Sequence, residues 1–263
     1  MRPKNARMQT EYFATFQDPS VIASYQYRPP FPPEVFIVLS GLITDMPRRV
    51  LDLGCGTGFV ARELLPFVDA VDAVDVSAGM IEVGKQLPGG DDARLRWILG
   101  RAEEAPIDPP YALITAGDSL HGMDWPVLML RLREMLTANG HLAIFENGQE
   151  PPPWQAELQS IILRYSPKRE YTPFDLIDEL VRLGLFTIHG GHRTAPVPFT
   201  QSVVRVCRLV PWAQQLLSRA HDARRCRRIR RSRPRSRDGI QCRNGHALAH
   251  HRNRMGQAAI VLC

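Results

Sequence analysis

The stretch "VLDLGCGTGF", residues 50–59, joins a short apolar run to a turn with glycine at every second position. The run ends in an acid, Asp52, and the glycines are Gly54, Gly56 and Gly58. Glycine exposes the backbone and permits dihedral angles that other residues avoid. When such a turn joins a strand to a helix, a ligand can contact bare backbone at the helix N-terminus. The stretch therefore predicts a ligand site at the carboxyl end of a strand.

Apolar runs of strand length alternate with helix-like segments around this turn. Helical spacing follows the turn itself, a second helix is predicted after Ser77 as N-cap, and a third is predicted to open at Asp124. This alternation is typical of βαβ units. We expect an α/β fold: a Rossmann-like, doubly wound, mainly parallel sheet of about five strands with helices on both faces. Besides the first, its predicted strands are "DAVDAVDV" (69–76), "RLRWILG" (94–100), "YALITAG" (111–117) and "GHLAIFENG" (140–148).

Helices are also predicted on both sides of the sheet region. "DPSVIASYQY" (18–27) and "PPEVFIVLSGLI" (32–43) precede it. "PPWQAELQSIILRY" (152–165) and "TPFDLIDELVRLG" (172–184) follow it, the latter opened by Thr172-Pro173 and closed by Gly184.

The net charge of +6 is unevenly distributed. Residues 219–254 hold thirteen arginines and two aspartates, which places +11 on this stretch and leaves −5 on the rest of the chain. The stretch has little apolar periodicity, so it cannot offset its ordering entropy and we expect it to be disordered. One interpretation is a basic arm that binds the phosphates of a nucleic acid. We favour the other, a non-functional extension of the kind that a GC-rich gene yields when read out of frame.

Composition points to a reducing, aqueous compartment. No segment reaches the roughly 18 apolar residues of a spanning helix, and the N-terminus lacks the apolar run of a signal peptide. The sequence therefore predicts a soluble, cytoplasmic protein with no membrane partner. The five cysteines lack the spacing of a disulfide framework, and the late cysteines and histidines lack the paired spacing of a zinc module, so no metal site is predicted.

A second acid narrows the choice of ligand. Asp75 ends the predicted strand after the glycine turn, where a carboxylate accepts both hydroxyls of a ribose. The glycine spacing is G-x-G-x-G rather than the dinucleotide pattern G-x-G-x-x-G, with Phe59 in place of the third glycine. Asp52 would repel a pyrophosphate but attract the ammonium and sulfonium of S-adenosylmethionine. We therefore expect S-adenosylmethionine as the cofactor.

These motifs resemble those of class I S-adenosylmethionine-dependent methyltransferases of the small-molecule type. Residues 50–59 match the first motif of that family, 74–86 resemble its second and "GRAEEAPI" (100–107) its third. "ITAGDSLHGMDW" (114–125) resembles the segment after the fourth strand. "SYQYRPPFPPEVF" (24–36) resembles the N-terminal lid of the branch related to trans-aconitate methyltransferases. The resemblance covers about residues 12–205.

The resemblance implies the roles of several residues. Asp75 would hold the ribose, Met80 would lie under the adenine, and an acid-alanine pair would meet the adenine amino group, although Arg101 here replaces the usual aspartate. The implied cofactor-binding set is Tyr27, Arg28, Asp52, Gly54, Cys55, Gly56, Asp75, Val76, Met80, Arg101, Ala102, Glu103, Ala116 and Gly117.

A general base is needed only where the acceptor must lose a proton. His121, just past the fourth strand, is our candidate catalytic residue, since its unperturbed pKa lies near neutrality. An alternative of equal weight makes His121 a wall residue that shapes the pocket, and Asp118 is a second candidate base. "DPPY" (108–111) spells a signature of nucleic-acid amine methyltransferases, but it precedes the fourth strand instead of following it, so we interpret it as a turn.

The sequence and the resemblance together predict an S-adenosylmethionine-dependent methyltransferase that acts on a small-molecule acceptor by in-line transfer. The alternatives are a nucleic-acid methyltransferase that uses the basic tail and a non-catalytic S-adenosylmethionine-binding protein. We expect an N-terminal helical lid at 1–45, the methyltransferase domain at 46–217 and an Arg-rich, disordered or aberrant tail at 218–263. A late antiparallel hairpin normally completes this fold, and "LFTIHGG" (185–191) and "QAAIVLC" (257–263) are its candidate strands.

Overall fold

The computed structural model describes residues 13–149, 175–202 and 250–262 of the 263-residue chain. In these ranges eight strands form one sheet. The first five are β1 (Arg49–Leu53), β2 (Ala70–Asp75), β3 (Leu95–Leu99), β4 (Tyr111–Gly117) and β5 (Leu136–Gln149). They lie in the order β3-β2-β1-β4-β5, and every neighbouring pair among them is parallel. This arrangement confirms the expected Rossmann-like, doubly wound sheet.

Where the sequence predicts a cap residue, the described helix begins there, with one exception. Ser77 and Asp124 accept backbone hydrogen bonds at the starts of their helices, from the amides of Met80 and Val127. No helix in the described ranges combines the length and apolarity needed to cross a bilayer. The helices are α1 (Pro19–Tyr25), α2 (Pro33–Gly41), α3 (Phe59–Leu64), α4 (Ala78–Lys85), α5 (Trp125–Met135) and α6 (Leu176–Arg182).

The exception is α6, which we expected to open at Thr172-Pro173. The structure caps α6 with Asp175, whose side chain accepts from the backbone amides of Ile177 and Asp178. Two amides bonded to one carboxylate make Asp175 the stronger cap. Gly184 follows the helix in the left-handed region, φ +68°, as a closing glycine should. The predicted helix at 152–165 lies outside the described residues.

The sheet is buried on both faces by apolar side chains. Leu51 and Leu53 of β1 pack in a cluster that includes residues of α5 and α6, while Val50 packs in a second cluster with residues of α2 and α3. All three side chains are fully buried. Burial on both faces explains why β4 is a nearly continuous apolar run rather than an alternating one.

A buried polar network joins the amino ends of the strands, away from the glycine turn. Tyr111 is the first residue of β4 and is fully buried. Its hydroxyl donates a hydrogen bond to the carboxylate of Asp72 in β2. The Asp72 carboxylate also accepts from Arg96 at 2.8 and 2.7 Å and from Arg49 at 3.3 Å. These partners compensate a carboxylate that is 3% exposed. "DPPY" therefore lies at the amino ends of the strands, away from the glycine turn, as predicted from its position before β4.

The antiparallel end of the sheet contains β6 (Gly190–Arg193), β7 (Val197–Ser202) and β8 (His250–Leu262). β8 pairs with β5 on one side and with both β6 and β7 on the other. We expected a disordered tail over 218–263, but the part that the structure describes is this strand. The expected strand at 185–191 also begins later, at Gly190, and β7 was not predicted. Residues 203–249 lie outside the described ranges.

Candidate functional site

A cleft opens beside the carboxyl ends of β1, β2 and β4. The empty space inside the cleft and at its open mouth amounts to about 610 Å³. Nine of the predicted cofactor-binding residues line it: Arg28, Gly54, Gly56, Asp75, Val76, Met80, Ala102, Glu103 and Gly117.

The glycine turn forms one wall of the cleft because its backbone is both left-handed and closely packed. Gly54 has φ +63°, and a β-carbon there would lie 2.6 Å from Cβ of Ser119. Gly56 has φ +56°, and a β-carbon there would lie 3.0 Å from the hydroxyl oxygen of Tyr25. Both residues line the cleft. The turn therefore presents bare backbone to a ligand, as the sequence predicts.

Asp75 is held in a fixed orientation at the end of β2. One carboxylate oxygen accepts from the Gly56 amide at 2.7 Å and the other from the Ser77 amide at 2.8 Å. Burial raises the pKa of Asp75 despite these two hydrogen bonds. Each oxygen keeps a further lone pair, so the carboxylate can still accept from two hydroxyls of a ligand.

An apolar slot adjoins Asp75. Val76, Met80 and Ala102 line it, and Met80 and Ala102 are almost fully buried. Phe13 lines the same cleft, and its ring lies 5.5 Å from the guanidinium carbon of Arg101. Apolar side chains of this kind suit the faces of a heteroaromatic ring.

Opposite charges meet at the other side of the glycine turn. The guanidinium of Arg28 lies 3.3 Å from the Asp118 carboxylate and donates to the Tyr25 hydroxyl at 3.2 Å. Asp118 follows β4 with φ +51°, a left-handed conformation that is uncommon outside glycine. Burial raises the pKa of Asp118, while the charge of Arg28 opposes that rise. The pair offers a cation and an anion side by side.

Asp52 is not placed in the cleft, although we expected it to help hold a cationic ligand. Its side chain is 2% exposed and accepts from the Thr115 hydroxyl at 2.8 Å, between β1 and β4. Burial raises the pKa of Asp52 to about 7. The structure also leaves Tyr27, Cys55, Arg101 and Ala116 out of the residues that line the cleft; Arg101 lines a neighbouring hollow instead.

His121 is likewise outside the cleft lining. Its Nε2 lies 3.4 Å from a carboxylate oxygen of Glu146, and this partner raises the pKa of the imidazole. A raised pKa favours the imidazolium, which cannot accept a proton. The catalytic role of His121 stays a prediction, while Asp118, our second candidate base, lines the cleft.

Several lining residues were not predicted as site residues. Tyr25, Ser119 and Met123 fall inside motifs that the sequence singles out, but nothing in those motifs shows which way a side chain points. Phe13 and Phe16 precede every motif and carry no signal of their own. Their place at the site depends on contacts with distant residues, such as the hydrogen bond that the Ser77 hydroxyl donates to the Phe16 carbonyl at 2.8 Å.

Comparison with known proteins agrees with this geometry. Residues 50–140 match the family described as "Methyltransferase domain". A malonyl-[acyl-carrier protein] O-methyltransferase of Halalkalibacterium halodurans is 37% identical over 113 residues, covering 40% of this chain and 41% of that enzyme. An uncharacterized methyltransferase of Mycobacterium tuberculosis is 31% identical over 148 residues, covering 55% of this chain and 58% of the relative. The matches thus span less than two thirds of either relative.

A solved structure extends the comparison to the fold. A protein of Anaeromyxobacter dehalogenans, assigned to the type II methyltransferases, superposes with a TM-score of 0.53 over 89% of this chain and 95% of its own, at 17% identity. The sheet is thus of the Rossmann-like type found in methyltransferases. Residues 50–140 are thus similar in sequence to methyltransferase domains.

Proposed function

We propose that the whole protein is an S-adenosylmethionine-dependent methyltransferase that transfers a methyl group to a small-molecule acceptor. One observation carries the proposal: a single cleft presents a fixed carboxylate, an apolar slot and a cation–anion pair around a bare glycine turn. S-adenosylmethionine has a ribose diol, a flat base and an amino-acid zwitterion, so each part of the molecule meets a matching group.

The residues present fit these three parts by their chemistry. Asp75 would accept from the ribose hydroxyls, because its oxygens are already oriented by the amides of Gly56 and Ser77. Val76, Met80 and Ala102 would hold the base. Arg28 would pair with the carboxylate of the zwitterion and Asp118 with its ammonium.

The charge of the cleft favours this cofactor over a dinucleotide. The charged residues that line it in the described ranges are three acids, Asp75, Glu103 and Asp118, and one base, Arg28. A net negative wall repels a pyrophosphate but stabilises the sulfonium and ammonium of S-adenosylmethionine. These acids would attract the ammonium and sulfonium of the cofactor, which is the role that we expected of Asp52.

The chain's own contribution to the reaction is binding and alignment. When bound, the cofactor supplies a methyl group that its sulfonium already makes electrophilic. The chain must hold the acceptor in line and at near-attack distance, which supplies most of the rate enhancement in such displacements.

The lid that we propose for residues 1–45 is described by the structure from residue 13 onward. Tyr25 and Arg28 of this segment line the cleft. The Asn147 side-chain amide donates to the carbonyls of Pro29 and Pro30 at 3.0 and 3.2 Å. These contacts tie the segment to the end of β5. Together with the motif at 24–36, they support our assignment of the chain to the trans-aconitate methyltransferase-like branch. The name of the relative from Halalkalibacterium halodurans favours oxygen as the methylated atom.

Titration calorimetry with S-adenosylmethionine, S-adenosylhomocysteine and NAD tests the proposal. We expect the first two to bind and NAD not to bind. Asp75→Ala should weaken S-adenosylhomocysteine binding by about 1.5–3 kcal/mol, the scale for losing hydrogen bonds to a charged group. Asp91→Ala, which removes an exposed carboxylate outside the cleft, is the matched control. Tighter binding of NAD, or equal effects of the two substitutions, would overturn the cofactor assignment.

Methyl transfer needs its own assay. Candidate acceptors are screened for formation of S-adenosylhomocysteine, starting with carboxylic acids and phenols because oxygen is the favoured acceptor. Turnover with one of them establishes the enzyme. Cofactor binding without turnover on any acceptor favours the non-catalytic alternative.

A further inference from the structure

Asn147, near the end of β5, contacts both sides of the Arg28–Asp118 pair. Its backbone amide donates to one carboxylate oxygen of Asp118 at 3.3 Å, and the Arg28 guanidinium lies 3.3 Å from the other oxygen. Its side-chain amide donates to the carbonyls of Pro29 and Pro30, the two residues directly after Arg28. One residue of the sheet thus holds the carboxylate on one side and the backbone beside the guanidinium on the other.

The Asn147 side chain is oriented by its donors. Its Nδ2 faces two carbonyl oxygens, so a flipped amide would set oxygen against oxygen. Its Oδ1 is buried and has no hydrogen-bond donor among the described residues. A buried polar atom without a partner costs free energy, which an apolar side chain that only filled this space would avoid. The contribution of Asn147 therefore lies in the donors that it offers to residues 29 and 30.

A separate apolar contact holds the N-terminal segment against the sheet. The ring of Phe31 lies 4.9 Å from the ring of Phe145 and 6.5 Å from that of Phe59. The segment keeps this contact when the Asn147 amide is removed. The expected effect of removing the amide is therefore a shift of the backbone beside Arg28, and not the release of the whole segment.

The Arg28–Asp118 pair depends on such neighbours for its geometry. The Arg28 side chain is 40% exposed and the Asp118 side chain 23% exposed, so water reaches both. A solvated ion pair is held only weakly by its own charges. A ligand that binds between two such groups loses affinity when it must first order them. The contacts that Asn147 makes on both sides of the pair reduce this cost.

We propose that Asn147 is a positioning residue for the amino-acid end of the cofactor: it fixes the separation of Arg28 and Asp118, the groups that pair with the carboxylate and the ammonium. This inference rests on the proposed function, because that function assigns the pair to the zwitterion of S-adenosylmethionine. Asn147 acts through the pair. Its loss should therefore weaken the binding of the amino-acid end and leave the binding of the base and the ribose unchanged.

The test compares S-adenosylhomocysteine with 5′-methylthioadenosine, which has the same base and ribose but lacks the amino-acid end, by titration calorimetry. The wild-type protein should bind S-adenosylhomocysteine about tenfold or more tightly, the scale for hydrogen bonds with charged partners. Asn147→Ala should reduce this preference about threefold or more, the scale for a neutral hydrogen bond, and leave the affinity for methylthioadenosine unchanged. Asn139→Ala is the matched control and should change neither affinity, because Asn139 lies on the same strand and donates to Asp45, outside the cleft lining.

Two further variants keep the test decisive. Asn147→Asp keeps the size of the side chain but replaces its donor by an acceptor, so it should lower the preference at least as far, and it serves if Asn147→Ala fails to fold. In an Arg28→Ala background, Asn147→Ala should have no further effect on the preference, because it acts through that guanidinium.

The outcomes separate this inference from the proposed function. A wild-type preference in the folded Asn147 variants would overturn the inference. Equal losses of affinity for both compounds, which a merely structural role predicts, or additive effects with Arg28→Ala would overturn it as well. Equal binding of the two compounds by the wild-type protein would overturn it and leave the cofactor assignment intact. No binding of either compound would instead contradict the proposed function.

Discussion

Replacing Gly54 by alanine tests how the glycine turn builds the cleft. Gly54 has φ +63°, and its new β-carbon would lie 2.6 Å from Cβ of Ser119. The left-handed backbone alone costs a non-glycine residue about 1–2 kcal/mol. Crowding against Ser119 adds the cost of overpacking, about 1–3 kcal/mol. We therefore expect Gly54→Ala to lower the free energy of unfolding by about 2–5 kcal/mol.

Gly184 supplies the matched control for the backbone term. It has φ +68°, and a β-carbon there would meet nothing within 4 Å. Gly184→Ala should therefore cost about 1–2 kcal/mol in the same urea titration, the backbone term alone. Because Gly54 lines the cleft, Gly54→Ala should also weaken S-adenosylhomocysteine binding about tenfold or more, the effect of a lost close contact. Gly184→Ala should leave that affinity unchanged.

The two measurements can refute the reasoning separately. Equal losses of unfolding free energy in Gly54→Ala and Gly184→Ala would show that Ser119 does not crowd the turn. Unchanged ligand affinity in a folded Gly54→Ala protein would show that the ligand does not approach this backbone.

Three further predictions concern charge, the buried network and the last strand. Burial raises the pKa values of Asp75 and Asp118, so both side chains protonate at a higher pH than free carboxyls. Calorimetry should therefore show the affinity for cationic S-adenosylmethionine falling as the pH is lowered from neutrality toward about 4. An affinity that does not change with pH would contradict the role of these two acids. Tyr111→Phe removes the hydroxyl that donates to Asp72, so it should lower the free energy of unfolding by about 1–3 kcal/mol. The affinity for S-adenosylhomocysteine should stay the same. A change in that affinity would place Tyr111 nearer the site than we find. Truncation before His250 removes β8, which pairs with β5, β6 and β7, so the urea midpoint should fall; an unchanged midpoint would show that β8 adds no stability to the sheet.

The sequence predicts the parallel part of the fold well because its signals are local. Each strand from β1 to β5 contains a short stretch rich in apolar residues. Ser77 and Asp124 cap helices through contacts within three residues of themselves. Such features depend on neighbours along the chain, which the sequence displays directly. Our predicted start of α6 at Thr172-Pro173 was wrong, because the helix begins after Asp175, whose hydrogen bonds to two backbone amides the sequence does not display.

The remaining features depend on contacts between distant residues. β8 is contiguous with an arginine-rich segment whose composition indicates disorder, yet its backbone pairs with residues 48 or more positions earlier in the chain. Asp52 could face the cleft or Thr115, and only the packing of β1 against β4 decides. Likewise the pairing of His121 with Glu146 and of Arg28 with Asp118 requires elements that no local pattern brings together.

A crystal structure of the protein with S-adenosylhomocysteine tests the central claim most directly. We predict density in the cleft, with the ribose hydroxyls on Asp75, the base between Val76, Met80 and Ala102, and the amino-acid end at Arg28 and Asp118. A ligand bound elsewhere, or bound in the cleft with its ribose away from Asp75, would contradict our assignment of this site.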